Sequence, residues 1–229
     1  MLALPFLNGI FVLITFLCLW LFYRASGRNK RVLVISVLWL LLQGLVSLTG
    51  FYTDYSAMPP RFLLAVIPPL LCIMFISFSR KGQIFTDTFD PAWLTYLHAI
   101  RIPVEVVLVM LFVEGMVPEI MTFEGRNFDI LAGLSAPFVS WFGYVRNKIS
   151  RPFLLLWNII CVILLLNIVV TAVLSAPLPF QQFGFGQPNI AVFHYPFIWL
   201  PAFIVPVVLF SHIVLIRGIL SSGPRQISS

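Results

Sequence analysis

The residues able to do chemistry are few, and they crowd into one stretch, His98 to Asp129. Five of the eight acidic residues lie there (Glu105, Glu114, Glu119, Glu124 and Asp129), with two of the fourteen basic residues, Arg101 and Arg126, and one of the three histidines. His98, Arg101 and Glu105 follow one another at spacings of three and four, which puts all three on one helical face. Arg101 and Glu105 stand four apart, the spacing at which opposite charges neutralise each other along a helix, and are expected to form an ion pair. An ionisable side chain inside an apolar helix costs at least about 2.5–3.5 kcal/mol and by default marks a functional site.

Glu114 is nine residues beyond Glu105, about half a turn round, and faces a different neighbour. Pro118 should break the helix, leaving Glu119, Glu124, Arg126 and Asp129 to line the turn that follows, with Asn127 or Asp129 capping the next helix. One cation, Arg126, can satisfy one carboxylate there and not four. The remaining acids must reach water, accept backbone N–H groups, or bind a proton or cation. Glu114 or Glu119 is expected to line an outward pocket covered by residues 176–195, an uncharged loop rich in Phe, Gln, Gly and Pro that would bring His194 within reach. The candidate ligand-binding set is Gln43, His98, Arg101, Glu105, Glu114, Glu119, Arg126, Asp129 and His194.

No motif narrows the chemistry further. HExxH, GxSxG, a phosphate-binding glycine loop, CxxC and HxxxH are all missing from the sequence. His98, His194 and His212 could be drawn as a zinc set, but the topology below puts His194 at one end and the others at the opposite end, so no metal and no cofactor is expected. Cys18, Cys72 and Cys161 each sit in an apolar run and read as small buried hydrophobes.

What must position these residues is a membrane bundle. The chain is 60% hydrophobic with a mean hydropathy of +1.02, and 10% of its residues are charged, against about 25% in a soluble domain. Seven segments carry the ~20 apolar residues a spanning helix needs: roughly 4–23, 32–50, 61–79, 98–117, 128–145, 153–175 and 196–216. The first lacks a basic start and is expected to be a retained helix rather than a signal peptide. Counting seven spans with the N-terminus outside puts eleven of the fourteen basic residues in inner loops, as the positive-inside rule requires. Dropping the fifth segment, the weakest because it carries Asp129 and Pro137, would move Arg146, Lys148 and Arg151 outside. The expectation is therefore an all-α, seven-helix integral membrane bundle. Its N-terminus is outside, its C-terminus is cytoplasmic, and residues 1–229 form one domain. A plasma membrane of the bacterial inner type fits that topology. The arrangement is similar to that of rhodopsins and G-protein-coupled receptors, in topology alone: the last segment has no lysine for a retinal Schiff base and no NPxxY-type motif.

Finer features follow. Ser36, Gln43, Ser47 and Gly50 form a polar stripe on the second helix, expected to face other helices with Gln43 near mid-membrane. Pro68-Pro69 should bend the third helix. Asp90-Pro91 is a helix start, with Asp as cap and Pro in the first turn, and predicts a short helix near 90–97 lying at the inner interface or running on into the fourth span.

The net charge of +6 and pI near 9.6 do not imply nucleic acid, because the basic residues sit in short loops as topology signals. The expected partners are membrane lipids, a small-molecule or ion ligand, or another membrane protein. Three roles remain. The first is transport or binding of a small solute, ion or lipid at a polar site around the fourth helix. The second is an accessory subunit whose polar residues only lock helices together. The third is an enzyme acting on a lipid-type substrate through Glu114, Glu119, Asp129 and His194. The enzyme is disfavoured because no nucleophile with a base is visible.

Overall fold

The computed structural model describes residues 3–221, and every regular element among them is helical. The helices are α1 (Ala3–Ala25), α2 (Lys30–Leu48), α3 (Leu63–Phe78), α4 (Arg80–Thr86), α5 (Pro91–Val113), α6 (Ile130–Val145), α7 (Arg151–Leu174) and α8 (Leu200–Ser221). Five of them, α1, α2, α5, α7 and α8, are long and apolar enough to cross a membrane. The chain is thus a helical membrane protein.

The other two expected spans are shorter. α3 holds 16 residues, or ~24 Å at 1.5 Å per residue, and then bends by 94° into α4. Gly82 permits that bend, since a Cβ there would overlap the Ile76 backbone. α6 is of similar length and closes in a π-helical turn over Ser140–Val145, three residues past Pro137.

α5 begins as its sequence predicts. Asp90 caps it, its carboxylate accepting from the backbone N–H groups of Ala92 (2.8 Å) and Trp93 (3.3 Å), with Pro91 in the first turn. Of the two courses expected for the short helix near 90–97, it takes the second and runs on into the span. It passes through a tight turn at His98–Ile100 straight into residues 101–113, and Leu94, Thr95 and Leu97 are buried. Those residues are the first turns of the span.

α8 is the most enclosed span, 56% buried in its apolar window against 28% for α2, so α8 runs through the centre and α2 along the edge. Three members of the polar stripe on α2 face inward as expected, Ser36, Gln43 and Ser47 being buried; the fourth, Gly50, lies past the end of the helix and is exposed. One contact there shows how the proline-rich helix is accommodated. Pro206 has no N–H to give the carbonyl of Ala202, four residues back. The indole N–H of Trp39 donates to that carbonyl instead, at 2.9 Å. Trp199 returns the bond by donating to the Leu40 carbonyl at 2.8 Å, and Gly44 lets its ring close in.

The basic segments gather at one end. The backbone N–H of Asp90 donates to the Ala25 carbonyl. Arg217 pairs with Asp87. Asp87, Arg151 and Arg217 border one shared cleft. At the opposite end, residues 176–199 fold over the tip of α5, where the N–H groups of Ile190 and Ala191 both donate to the Met116 carbonyl. Gln187 donates to the carbonyls of Phe112 and Val117. Of the three free cysteines, Cys18 and Cys161 are buried; Cys72, expected to be buried, is exposed on α3.

Candidate functional site

The centre of the bundle is a polar cluster built from α5, α6, α7 and α8. Arg101 is 3% exposed and occupies the eleventh position of the 23-residue α5. Its Nη1 donates to Asp129 Oδ1 at 2.8 Å and to the Cys161 carbonyl at 3.4 Å. Its Nη2 lies 2.9 Å from His212 Nε2. Arg101 only donates, so Nε2 of His212 accepts and Nδ1 carries the proton. That proton faces Asn158 Oδ1 at 2.8 Å, and the Asn158 amide in turn donates to the Leu154 carbonyl at 2.8 Å. Hydrogen bonds therefore run outward from Arg101 in two directions, to Asp129 on one side and through His212 to Asn158 on the other.

His98 lies one turn below Arg101. Its ring stacks on His212 with centroids 3.9 Å apart and planes 15° apart, and Trp157 stands edge-on to it. Neither ring nitrogen of His98 has a hydrogen-bond partner among the described residues, although the side chain is fully buried. Glu105 lies one turn above Arg101. One of its carboxyl oxygens accepts from Asn127 Nδ2; the other, Oε2, is buried without a partner. The three residues expected on one face of α5 are indeed on one face, and all are buried.

The pairing within that face differs from expectation. Arg101 pairs with Asp129 and not with Glu105. Asp129 was expected at the outer end, beside Glu114 and Glu119, and instead reaches the middle. The cause is the length of α6. After Val113 the chain descends beside α5 before its next helix starts, so that Asn127 meets Glu105 and Asp129 meets Arg101. Non-helical backbone at that depth is tolerated only where protein encloses and satisfies it. Here Asn127 serves the turn, donating to the Met121 carbonyl and accepting from the Asp129 N–H, both at 3.1 Å. Gly133, one turn past Asp129, brings α6 against α5: a Cβ there would stand 2.9 Å from Ile102 Cγ1 and 3.2 Å from Arg101 Cβ.

The remaining candidates are not drawn into this centre. Glu119 and Arg126 are exposed and Glu114 is half-buried at the end of α5. His194 is half-buried in the loop above, and burial lowers its pKa. No hydrogen bond or ion pair joins Glu114, Glu119 and His194 among the described residues. The long loop does cover the tip of α5, but through Gln187 and backbone groups. Gln43 belongs to a separate place, beside Tyr52. Among the described residues no three His, Cys, Asp or Glu side chains stand close enough to hold a metal ion.

Three members of the centre were not among the candidates: Asn127, Asn158 and His212. Asn158 is an amide in an otherwise apolar run, the one signal that could have marked it.

Fold and centre together define a helical membrane protein with a buried, ion-paired polar core. The chain belongs to a family described as a domain of unknown function, DUF8737, whose model matches residues 59–220. The matched stretch contains every residue of the centre, from His98 to His212, and leaves out α1 and α2. No curated protein and no solved structure matches the chain.

Proposed function

We propose that this protein binds a small ion, the proton above all, at the buried centre around α5, as a carrier or a proton-coupled transporter in a plasma membrane of the bacterial inner type. In this reading the bundle crosses seven times, with the N-terminus outside and the basic end in the cytoplasm. α3 and α6 are the two shortened crossings.

The observation that carries the reading is the set of orphaned polar atoms on either side of Arg101. Buried polar groups are almost always paired, and each exception asks for an explanation. His98 has two unpartnered nitrogens and Glu105 one unpartnered oxygen. Arg101 and Asp129 neutralise each other, so Glu105 is left as an acid without a cation among the described residues. A buried carboxyl in that position is neutralised by a proton or a small cation. The imidazole stack and the Asn127 amide provide further donors and acceptors within the same column.

Infrared difference spectroscopy of the purified protein in lipid tests this. A carboxyl band that appears and disappears with bath pH, and is missing in Glu105→Gln, supports an exchangeable proton site. A spectrum insensitive to bath pH, and the same in Glu105→Gln, means a sealed and purely structural centre.

A further inference from the structure

The polar stripe of α2 leads away from the centre. Gln43 is 3% exposed and its Oε1 accepts from the Tyr52 hydroxyl at 2.6 Å. Its Nε2 makes no hydrogen bond among the described residues, and this nitrogen is not sealed off: it opens onto a groove that Gln43 itself lines. The groove lies between α2 and α3 beneath the turn at Phe51–Thr53 and has a volume of about 530 Å³, within the roughly 300–1,000 Å³ of small-molecule sites. Its walls are apolar, from Leu42, Val46 and Leu64 among others, and no charged residue lines it.

The α3 side of the groove carries a second polar feature. Pro68 lines the groove together with Leu64. Proline has no N–H, so the Leu64 carbonyl, four residues back, lacks the donor that would close the helical bond. The groove thus offers one amide donor held in place by Tyr52, one backbone acceptor released by a proline, and apolar surface between and around them.

We propose that this groove binds a neutral acylglycerol-type lipid, with an ester carbonyl accepting from Gln43 Nε2 and a glycerol hydroxyl donating to the Leu64 carbonyl. No charged residue lines the groove, and Arg61, which stacks on Phe51 at its edge, is already paired with Asp54, so a phosphate head group would find no free cation to offset its desolvation. A quinone offers acceptors only and would leave the Leu64 carbonyl unmet. The acyl chains run along Leu42, Val46 and Leu64. This site is independent of the buried centre, which α2 does not enter.

Native mass spectrometry of the full chain released from detergent tests the assignment, with 1,2-dioctanoylglycerol, dioctanoyl phosphatidic acid and decylubiquinone as separate probes. Dioctanoylglycerol should saturate at one molecule per chain and bind more tightly than the other two. Gln43→Leu should weaken it about tenfold, the effect of one buried hydrogen bond. Leu42→Trp intrudes on the groove from a position exposed enough to leave folding intact, and should weaken saturable binding. Equal adduct series for all three probes, or dioctanoylglycerol binding unchanged in both variants, overturns the site. Tighter binding of phosphatidic acid or decylubiquinone overturns the acylglycerol assignment.

Discussion

Replacing Asp129 by Asn tests the buried centre most directly. The substitution keeps shape and leaves an oxygen that can still accept from Arg101 Nη1, but removes the charge. Arg101 is 3% exposed, so water cannot compensate, and its remaining partners are the Cys161 carbonyl and a neutral imidazole. Breaking one side of a buried pair costs about 3–5 kcal/mol, because the other charge is left uncompensated. Removing both sides is far cheaper, since well-packed apolar replacements of a buried pair are often neutral. Asp129→Asn and Arg101→Met should therefore each cost about 3–5 kcal/mol, and Arg101→Met/Asp129→Asn much less than the sum of the singles. Glu105→Gln is the internal contrast. It retains an oxygen for Asn127 and loses no ion pair, so it should cost less than Asp129→Asn. Unfolding by sodium dodecyl sulfate in mixed micelles, followed by circular dichroism, measures all four. If the double variant loses as much as the two singles together, or if Glu105→Gln is the costlier single, the pairing described here is wrong.

Three further outcomes follow from particular contacts. Gly133→Ala forces a Cβ to within 2.9 Å of Ile102 Cγ1 and should cost about 1–3 kcal/mol in the same assay, whereas Gly9→Ala, with nothing within 4 Å, should be neutral or slightly stabilising. Trp39→Phe leaves the Ala202 carbonyl without its donor and should cost about 1–3 kcal/mol; in a Pro206→Ala background the restored N–H takes that carbonyl, and the same change should cost markedly less. His194 is half-buried and its pKa is lowered from 6.5 by burial. A depressed pKa means that the stability His194 contributes is present above pH 6.5 and lost as the pH falls below it. Amide exchange in residues 176–195 should quicken as pH drops below that value, after correction for the intrinsic rate, and the effect should vanish in His194→Leu.

How much of this was legible differs from residue to residue. The column His98–Arg101–Glu105 was legible because helical period is local: spacings of three and four put the three side chains on one face whatever surrounds them. The Asp90-Pro91 start was legible for the same reason. The partner of Arg101 was not. The i, i+4 rule offers Glu105, but a buried arginine takes the acceptor that neighbouring helices deliver. That depends on how deep each helix begins, and helix depth is a tertiary property. His212 and Asp129 were assigned to opposite ends by counting residues along evenly drawn spans. The count fails for Asp129 because the segment before it does not stay at the surface.

One sequence signal did bear on this failure. The apolar run of the fifth segment starts only at Ile130 and closes at Val145, giving ~24 Å of helix against a hydrocarbon thickness of ~30 Å. If α6 crosses as proposed above, so short a helix leaves several ångströms to be covered by irregular chain. Irregular chain at depth must carry its own hydrogen-bonding groups, and Asn127 and Asp129 stand immediately before the helix. What looked like a weak span with an awkward acid is better understood as the condition for the site. Because α6 starts late, its leading turn delivers a carboxylate and an amide to the middle of α5. Gly133 then lets the two helices close on that contact. A longer, wholly apolar α6 would be a better membrane span, and would leave Arg101 without its acid.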